Sequence, residues 1–459
     1  MIINTTWDLN KLCTEKNFFD EIAKMNKSNI GNKLVYYYYC YLKLCLSCHD
    51  LRYIEAKKKM DLLLNCNYTN PQKLKNKYIK ILNSISSHEI IYNGSTIYYN
   101  DSNYSKLLNQ NSLVSFFIFQ DYMKNISLHK DELLPLFLEI KKGAKSIKNE
   151  KYDYYFDKMR DVFSSYVNIK KKMLSKKKIY SYELFNNSEE NISYQDACNI
   201  VSNNLKILPI KSILKEIHHK KLIDVYPSIS KVSGYKTIYS YKYNSYILLN
   251  YGNTYKDLIL FGHELGHYYT YEYRKKHCSY HAMKYFNDLE IPSIVNELMI
   301  AYNLWNEEAS IVHLQVIFHI IFNNYYRYGI FYKYENDLIN RKEKANYMEL
   351  LKKYYRDIEI LEDQKYEFLK IPQLLEDNYC YQYSFSTVIA VNIVKKILNK
   401  ELSFKQYKNF IINSKSYNKK TIKEFLNIDV DQDDIYLIFI DEVNCLLEEY
   451  KKIGGYNDN

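Results

Sequence analysis

Glycine and proline number only 10 and 6 in 459 residues, and this scarcity constrains the fold more than any other feature. Both residues punctuate turns and loops, so a chain that nearly lacks them has few places to reverse tightly. Apolar residues recur mostly three and four positions apart, the period of an amphipathic helix. The expected fold is therefore mainly α. One stretch breaks the rhythm: "YKTIYSYKYNSYILLNY", residues 235–251, alternates Tyr, Ile and Leu with polar residues and reads as two short strands around a turn. Helical patterns such as "SLVSFFIFQDYMKNI" and "KDELLPLFLEIKKG" fill the first part of the chain. Residues 1–155 are expected to form an N-terminal helical region, and residues 156–459 a second unit that carries the chemistry. No internal repeat or flexible linker is evident.

Composition narrows the function classes. An apolar share of 47% suits a globular protein with a sizeable core. The opening "MIINTTWDLN" lacks a basic segment followed by an apolar run, so no secretory signal is expected. No uncharged apolar stretch reaches the length of a spanning helix, so no membrane partner is expected either. Nine cysteines, odd in number and unevenly spaced, suit free thiols in a reducing cytoplasm. "CLSCH", Cys45–His49, matches a haem-attachment pattern. Such attachment needs an exported protein, so buried thiols are the expectation here. The net charge of +11 comes with heavy Lys, Asn, Ile and Tyr use, the mark of AT-rich codons. No nucleic-acid-binding motif accompanies it, and no nucleic-acid partner is expected.

The chemistry lies in "FGHELGHYYTY", residues 261–271. On a helix, His263 and His267 are four residues apart and project from one face. Neutral imidazoles so placed can take two corners of a tetrahedral zinc. Glu264 sits one residue round and can reach a water at that ion without taking a ligand corner. Thr254 and Asp257, three apart ahead of "LILF", fit a capping box that starts the helix. A catalytic zinc takes three protein ligands and keeps one position open, so a third is needed. "NDLEIPSIVNELMIAYNL" supplies it: Asp288 can cap a helix, Glu290 falls in the first turn, and Pro292 is tolerated there. Glu290 is the expected third ligand. Glu297, two turns on, shares its face and is expected to fix a histidine ring.

The surrounding sequence resembles one family. "SYILLNYGNTYKDLILFGHELGH" resembles the approach to the zinc helix in the oligoendopeptidase F family of thimet-type zinc peptidases. "EIPSIVNE" resembles the stretch that supplies that family's third ligand. "LIDVYPSISKVSGY" (222–235) resembles the family's approach to its active-site strands, and "RYGIFYKYE" (327–335) and "KIPQLLEDNYCYQYSFS" (370–386) are similar to later segments, in the family's order. The resemblance implies a two-lobed helical zincin-type body around a substrate cleft, with a small β-sheet beside the zinc helix. It implies one Zn2+ per chain on His263, His267 and Glu290, with Glu264 as the base that takes a proton from the attacking water. Zinc lowers that water's pKa from near 16 to about 7. It implies an oxyanion donor from the late tyrosines: Tyr379 and Tyr383 share a helix face, with Tyr381 on another, and either of the pair could serve. It also implies that "YILLNY" is an edge strand to which an oligopeptide substrate adds itself, through Tyr246, Leu248 and Asn250.

Two departures stand out. Gln373 occupies the place of the family's late histidine; it can donate to a substrate carbonyl but cannot carry a proton. The chain ahead of the zinc helix is also shorter than in typical members, where that region walls a deep channel. The leading expectation is a cytoplasmic zinc endopeptidase acting on oligopeptides. A peptidase dedicated to one precursor or leader peptide, and a catalytically weak peptide-binding homologue, are the alternatives. Oligomeric state is not legible.

Overall fold

The computed structural model describes the chain apart from residues 1–2, 27–33, 64–69, 86, 93–94, 101–106, 109–111, 185–190, 229, 278–289, 342–344, 414–417 and 456–459. Its centre is the helix Glu290–Glu307, buried without a break from Glu290 to Tyr302. A helix that is hydrophobic all round belongs inside a bundle, and "IVNELMIA" is apolar but for Asn296 and Glu297, which turn towards the neighbouring helices. The principal helices, numbered in chain order, are α1 (Glu15–Ala23), α2 (Leu34–Leu46), α3 (Leu51–Leu63), α4 (Asn70–Ser84), α5 (Ser112–Leu128), α6 (Lys130–Lys141), α7 (Glu150–Met173), α8 (Tyr194–Asn204), α9 (Tyr255–His277), the central α10 (Glu290–Glu307), α11 (Ile311–Ile321), α12 (Tyr328–Arg341), α13 (Tyr379–Leu398) and α14 (Asp434–Gly454); further helices, such as Ile210–Lys220 and Phe404–Asn413, lie among them. Helix α10 packs between α9 and α13. Among the described residues, no helix is long and apolar enough to cross a membrane.

Many of the 52 tyrosines are core residues. Tyr78, Tyr166 and Tyr326 are buried, and each hydroxyl donates to a main-chain carbonyl: Leu369 at 2.6 Å, Leu184 at 3.0 Å and Tyr354 at 2.9 Å. A buried tyrosine thus keeps its large apolar contact without stranding its polar tip. Cys40 and Cys45 are buried free thiols and Cys48 is half-buried and free, so "CLSCH" belongs to the helical body.

Strands are few. A hairpin, β1 (Ser87–Tyr92) and β2 (Ser95–Asn100), stands apart from a three-stranded sheet ordered β3-β5-β4, where β3 is Ile223–Asp224, β4 is Lys236–Ile238 and β5 is Tyr246–Leu248. The two strands expected in residues 235–251 are β4 and β5, and they pair antiparallel. The assignment of "YILLNY" to the edge is corrected. β5 is the middle strand, parallel to β3 and antiparallel to β4, and Tyr246, Leu248 and Asn250 are all buried. The continuous apolar run "YILL" is what a strand buried on both faces requires; among the described residues, β3 and β4 are the outer strands, and β4 is the one that lines the cleft.

The N-terminal helices reach both sides of the molecule. The end of α2 is tied to the chain before β4: Cys48 N–H donates to the Ser230 carbonyl at 2.8 Å, and Val232 N–H to the Cys45 carbonyl at 2.9 Å. Trp7 Nε1 donates to the Ile247 carbonyl at 2.9 Å. Helices α5 and α6 instead pack against the short 3-10 segment Glu362–Lys370. Between these sides runs a cleft of about 1100 Å3.

Candidate metal centre

The site is built from α9 upward. Thr254 and Asp257 exchange bonds at its start: Thr254 Oγ1 accepts from Asp257 N–H at 3.2 Å, and Asp257 Oδ2 accepts from Thr254 N–H at 2.9 Å. This reciprocal cap satisfies amides that the first turn leaves without partners. Asp288, the cap expected for α10, lies outside the described residues.

Two glycines let α9 and α10 approach. A Cβ at Gly262 would lie 2.3 Å from Ile300 Cδ1, and one at Gly266 would lie 2.9 Å from Ser293 Cα. At the second position the obstacle is backbone, so no side-chain rotation could make room. Asn296 Nδ2 reinforces the contact by donating to the Gly262 carbonyl at 3.1 Å. The closeness brings Glu290 up to the histidines.

His263 Nε2 and His267 Nε2 are 3.0 Å apart, and Glu290 Oε2 lies 3.4 Å from the first and 3.7 Å from the second. The two carboxylate distances are long for hydrogen bonds and suit ligand atoms about a shared ion, and Glu290 Oε2, although buried, has no hydrogen-bond partner. A buried carboxylate oxygen so placed is costly unless a cation meets it. Zinc bonds of about 2.0–2.1 Å in a tetrahedron put ligand atoms roughly 3.3 Å apart, close to the spacing seen. Two imidazoles and one carboxylate are also a donor set of catalytic zinc. The residues fit the ion.

The field around the cluster points the same way. Burial opposes charge on His263, yet Glu290 and Glu297 outweigh it and hold the ring's proton affinity well above the ordinary value. Burial drives His267 down to about 4, so that ring is neutral. Glu290 is held down to about 2 against its burial by the two histidines and Tyr379. The carboxylates that favour positive charge at His263 would equally favour a metal cation there.

Around the cluster, Glu297 Oε1 meets His263 Nδ1 at 2.5 Å, and its other oxygen accepts from Asn324 Nδ2 at 2.9 Å. Glu264 is buried beside His263, and Thr237 of β4 donates to its carboxylate at 2.7 Å and to its carbonyl at 3.0 Å. Burial pushes the Glu264 carboxyl up to about 7, although His263 and Thr237 pull the other way. A carboxyl near neutrality suits a group that takes and returns a proton.

Tyr379, the first residue of α13, donates its hydroxyl to Glu290 Oε1. Tyr383, one turn on, lies parallel to the His263 ring at 6.1 Å and to Tyr328 at 4.6 Å. Both line the cleft, as does Gln373 on the turn Pro372–Leu375. Tyr381 points elsewhere, its hydroxyl accepting from Asn149 at 2.7 Å. Tyr246, Leu248 and Asn250 do not line the cleft. Asn250 instead donates to the Val232 and Gly234 carbonyls at 3.1 and 2.6 Å, holding up the wall on which β4 runs.

Four neighbours escape a reading of the sequence. Tyr271 stacks on His267 at 6.0 Å, and its place four residues after that histidine was a usable signal. Tyr328 lies within "RYGIFYKYE" but is not singled out there, and Thr237 and Asn324 carried no signal. Asn324 lies in a π-helical turn, Phe322–Arg327, and only tertiary packing aims it at Glu297.

The fold and this cleft define the class: a mainly α peptidase fold. No family model matches the chain. In sequence it is 26% identical over 278 residues to oligopeptidase PepF of Bacillus subtilis, which is 55% of this chain and 42% of that protein. An oligoendopeptidase F homologue of Lactococcus lactis is 24% identical over 256 residues, again 42% of its length. The chain thus matches less than half the length of these curated relatives. In structure, oligoendopeptidase F of Enterococcus faecium superposes with a TM-score of 0.61 at 15% identity, covering 98% of this chain and 95% of the other. PZ peptidase A, solved with an inhibitor, superposes with a TM-score of 0.67 at 12% identity over 98% of both chains. The chain is thus similar in part of its sequence, and in fold, to oligoendopeptidase F proteins.

Proposed function

We propose that the chain is a cytoplasmic zinc endopeptidase that hydrolyses peptide bonds in oligopeptides. The observation that carries this reading is the meeting of His263, His267 and the partnerless Glu290 oxygen on a cleft floor, with the Glu264 carboxylate beside them. His263, His267 and Glu290 hold the ion, one per chain. When bound, zinc supplies Lewis-acid polarisation of the peptide carbonyl and activation of water at neutral pH.

The chain's own groups do the rest. Glu264 takes the proton of the attacking water and returns it to the leaving amine, and Thr237 keeps its carboxylate turned to the cleft. Glu297 fixes the His263 ring through Nδ1, so that Nε2 faces the ion. Because the Tyr379 hydroxyl is engaged with Glu290, Tyr383 is the better placed to donate to the oxyanion of the tetrahedral intermediate. The substrate lies extended along β4, bonded through its main chain, and Gln373 donates to one of its carbonyls from the facing wall.

Digestion of a mixed peptide library with and without a chelator, read by mass spectrometry, tests this. Internal cleavage that chelator stops and zinc restores is expected, with about one zinc per chain lost in Glu290→Ala. An untouched library with zinc present would sink the reading.

A further inference from the structure

Lys141 ends α6, and its ammonium is almost wholly enclosed. It donates to Glu335 Oε1 of α12 at 2.5 Å, to the Glu376 carbonyl at 3.1 Å and to Asp377 Oδ1 at 3.4 Å. The Lys141 and Glu335 side chains are 2% and 1% exposed, whereas Asp377 is 59% exposed, so Asp377 is a rim contact. Glu335 Oε1 also accepts the Asn378 N–H at 3.2 Å. Asn378 is left-handed, φ 59° and ψ 16°, a conformation that Asn tolerates better than most residues. Its side chain donates to the Lys145 carbonyl at 3.0 Å. The next residue is Tyr379.

Residues 376–378 therefore form an elbow whose carbonyl, amide and side chain are each gripped by residues far away in the chain. A buried ion pair is a poor source of stability, and a packed apolar pair commonly serves as well. What apolar side chains cannot supply is a directed bond to the Glu376 carbonyl and another to the Asn378 amide. Those bonds set the angle and register at which α13 enters the cleft, and Tyr379 and Tyr383 stand on its first two turns.

We propose that Lys141 and Glu335 are positioning residues that hold Tyr379 and Tyr383 over the metal cluster. This rests on the peptidase reading only where activity is concerned. It makes α6 of the N-terminal region part of the catalytic apparatus, although Lys141 touches neither substrate nor metal.

The test is the double variant Lys141→Met/Glu335→Leu, which keeps volume and removes both buried charges. Expected are an unchanged zinc content, faster hydrogen exchange confined to residues 376–383, and a kcat lowered about tenfold or more with KM little changed, short of the hundredfold to thousandfold of a deleted oxyanion donor. Wild-type exchange and kcat in the folded double variant would reduce the pair to packing and overturn the proposal. Should that variant fail to fold, Glu335→Gln replaces it: it still accepts the Asn378 amide but weakens the hold on Lys141. The same changes are expected on a smaller scale, and their absence overturns the proposal equally. If wild-type protein with zinc cleaves nothing, the peptidase reading fails, while the exchange comparison still decides whether the pair anchors the elbow.

Discussion

The floor of the cleft and the wall that carries the tyrosines face one another, but they are held in different ways. The floor is α9 against α10, drawn together by Gly262 and Gly266 and capped by Thr254 and Asp257. Its candidate metal-binding groups, His263 to Glu290, span 28 residues of chain. The wall is α13, aimed by Lys141, Lys145 and Glu335, residues up to 236 positions away. A floor made of near neighbours and close helix packing keeps its geometry wherever α9 and α10 fold together. A wall hung on distant polar contacts depends on the rest of the molecule being in place. Variants of the floor's candidate ligands and of Glu297 behind them should therefore act on the metal, and variants of the wall chiefly on turnover.

The largest effect is expected where floor and wall meet substrate. Glu264→Gln keeps shape and removes the base, so kcat should fall about a hundredfold to ten-thousandfold while zinc stays bound. Metal analysis beside kinetics checks this. Near wild-type turnover would remove Glu264 from the mechanism.

Next come the tyrosines. Tyr383→Phe should lower kcat by about a hundredfold to a thousandfold with KM little changed, and leave zinc affinity alone. Tyr379→Phe breaks a bond to Glu290, so it alone of the pair should also weaken zinc. Competition with a graded series of chelators reads the difference. Equal zinc affinity in both variants would show that Tyr379 belongs to the wall alone and that its bond to Glu290 does not support the floor.

A smaller effect is expected behind the floor. Glu297→Ala removes the acceptor of His263 Nδ1 and the partner of Asn324. Zinc affinity should fall about tenfold to a hundredfold, with kcat at saturating zinc much less changed. A loss of kcat without loss of zinc would assign Glu297 to turnover instead.

This contrast also marks what the sequence made legible. Helical period and the lack of Gly and Pro were enough for the mainly α body. The floor could be read because an i, i+4 histidine pair, a capping box and a first-turn glutamate are local patterns with local geometry. The wall could be read only through resemblance, and the residues that aim it carry no local mark: Lys141 ends an ordinary amphipathic helix, and Glu335 is one of many acidic residues in helices. The edge strand was misread for a related reason. Alternation in residues 235–251 was recognised, but which strand lies at the rim depends on β3, some twenty residues earlier in the chain. Asn250, expected on substrate, instead props the segment before β4, a role set wholly by pairing.

The smallest expected effect is at Gln373, on the wall side of the cleft and half-buried. An amide does not titrate, so this position contributes no ionisation to the rate. Gln373→His would introduce a group with an ordinary pKa of about 6.5. If the side chain faces the substrate, the pH–rate profile should gain an inflection between about pH 6 and 7. A neutral imidazole loses little relative to the amide as a hydrogen-bonding group, so kcat above that range should change by only a few-fold. Below it, the protonated ring brings a positive charge towards a bound cation and should weaken zinc slightly, a loss that added zinc reverses. That reversal distinguishes a group facing the metal from one that merely touches the peptide. Profiles from about pH 5 to 9 at two zinc concentrations, superimposable with those of the wild type, would show that this turn lies out of reach of the chemistry and that the working wall begins at Tyr379.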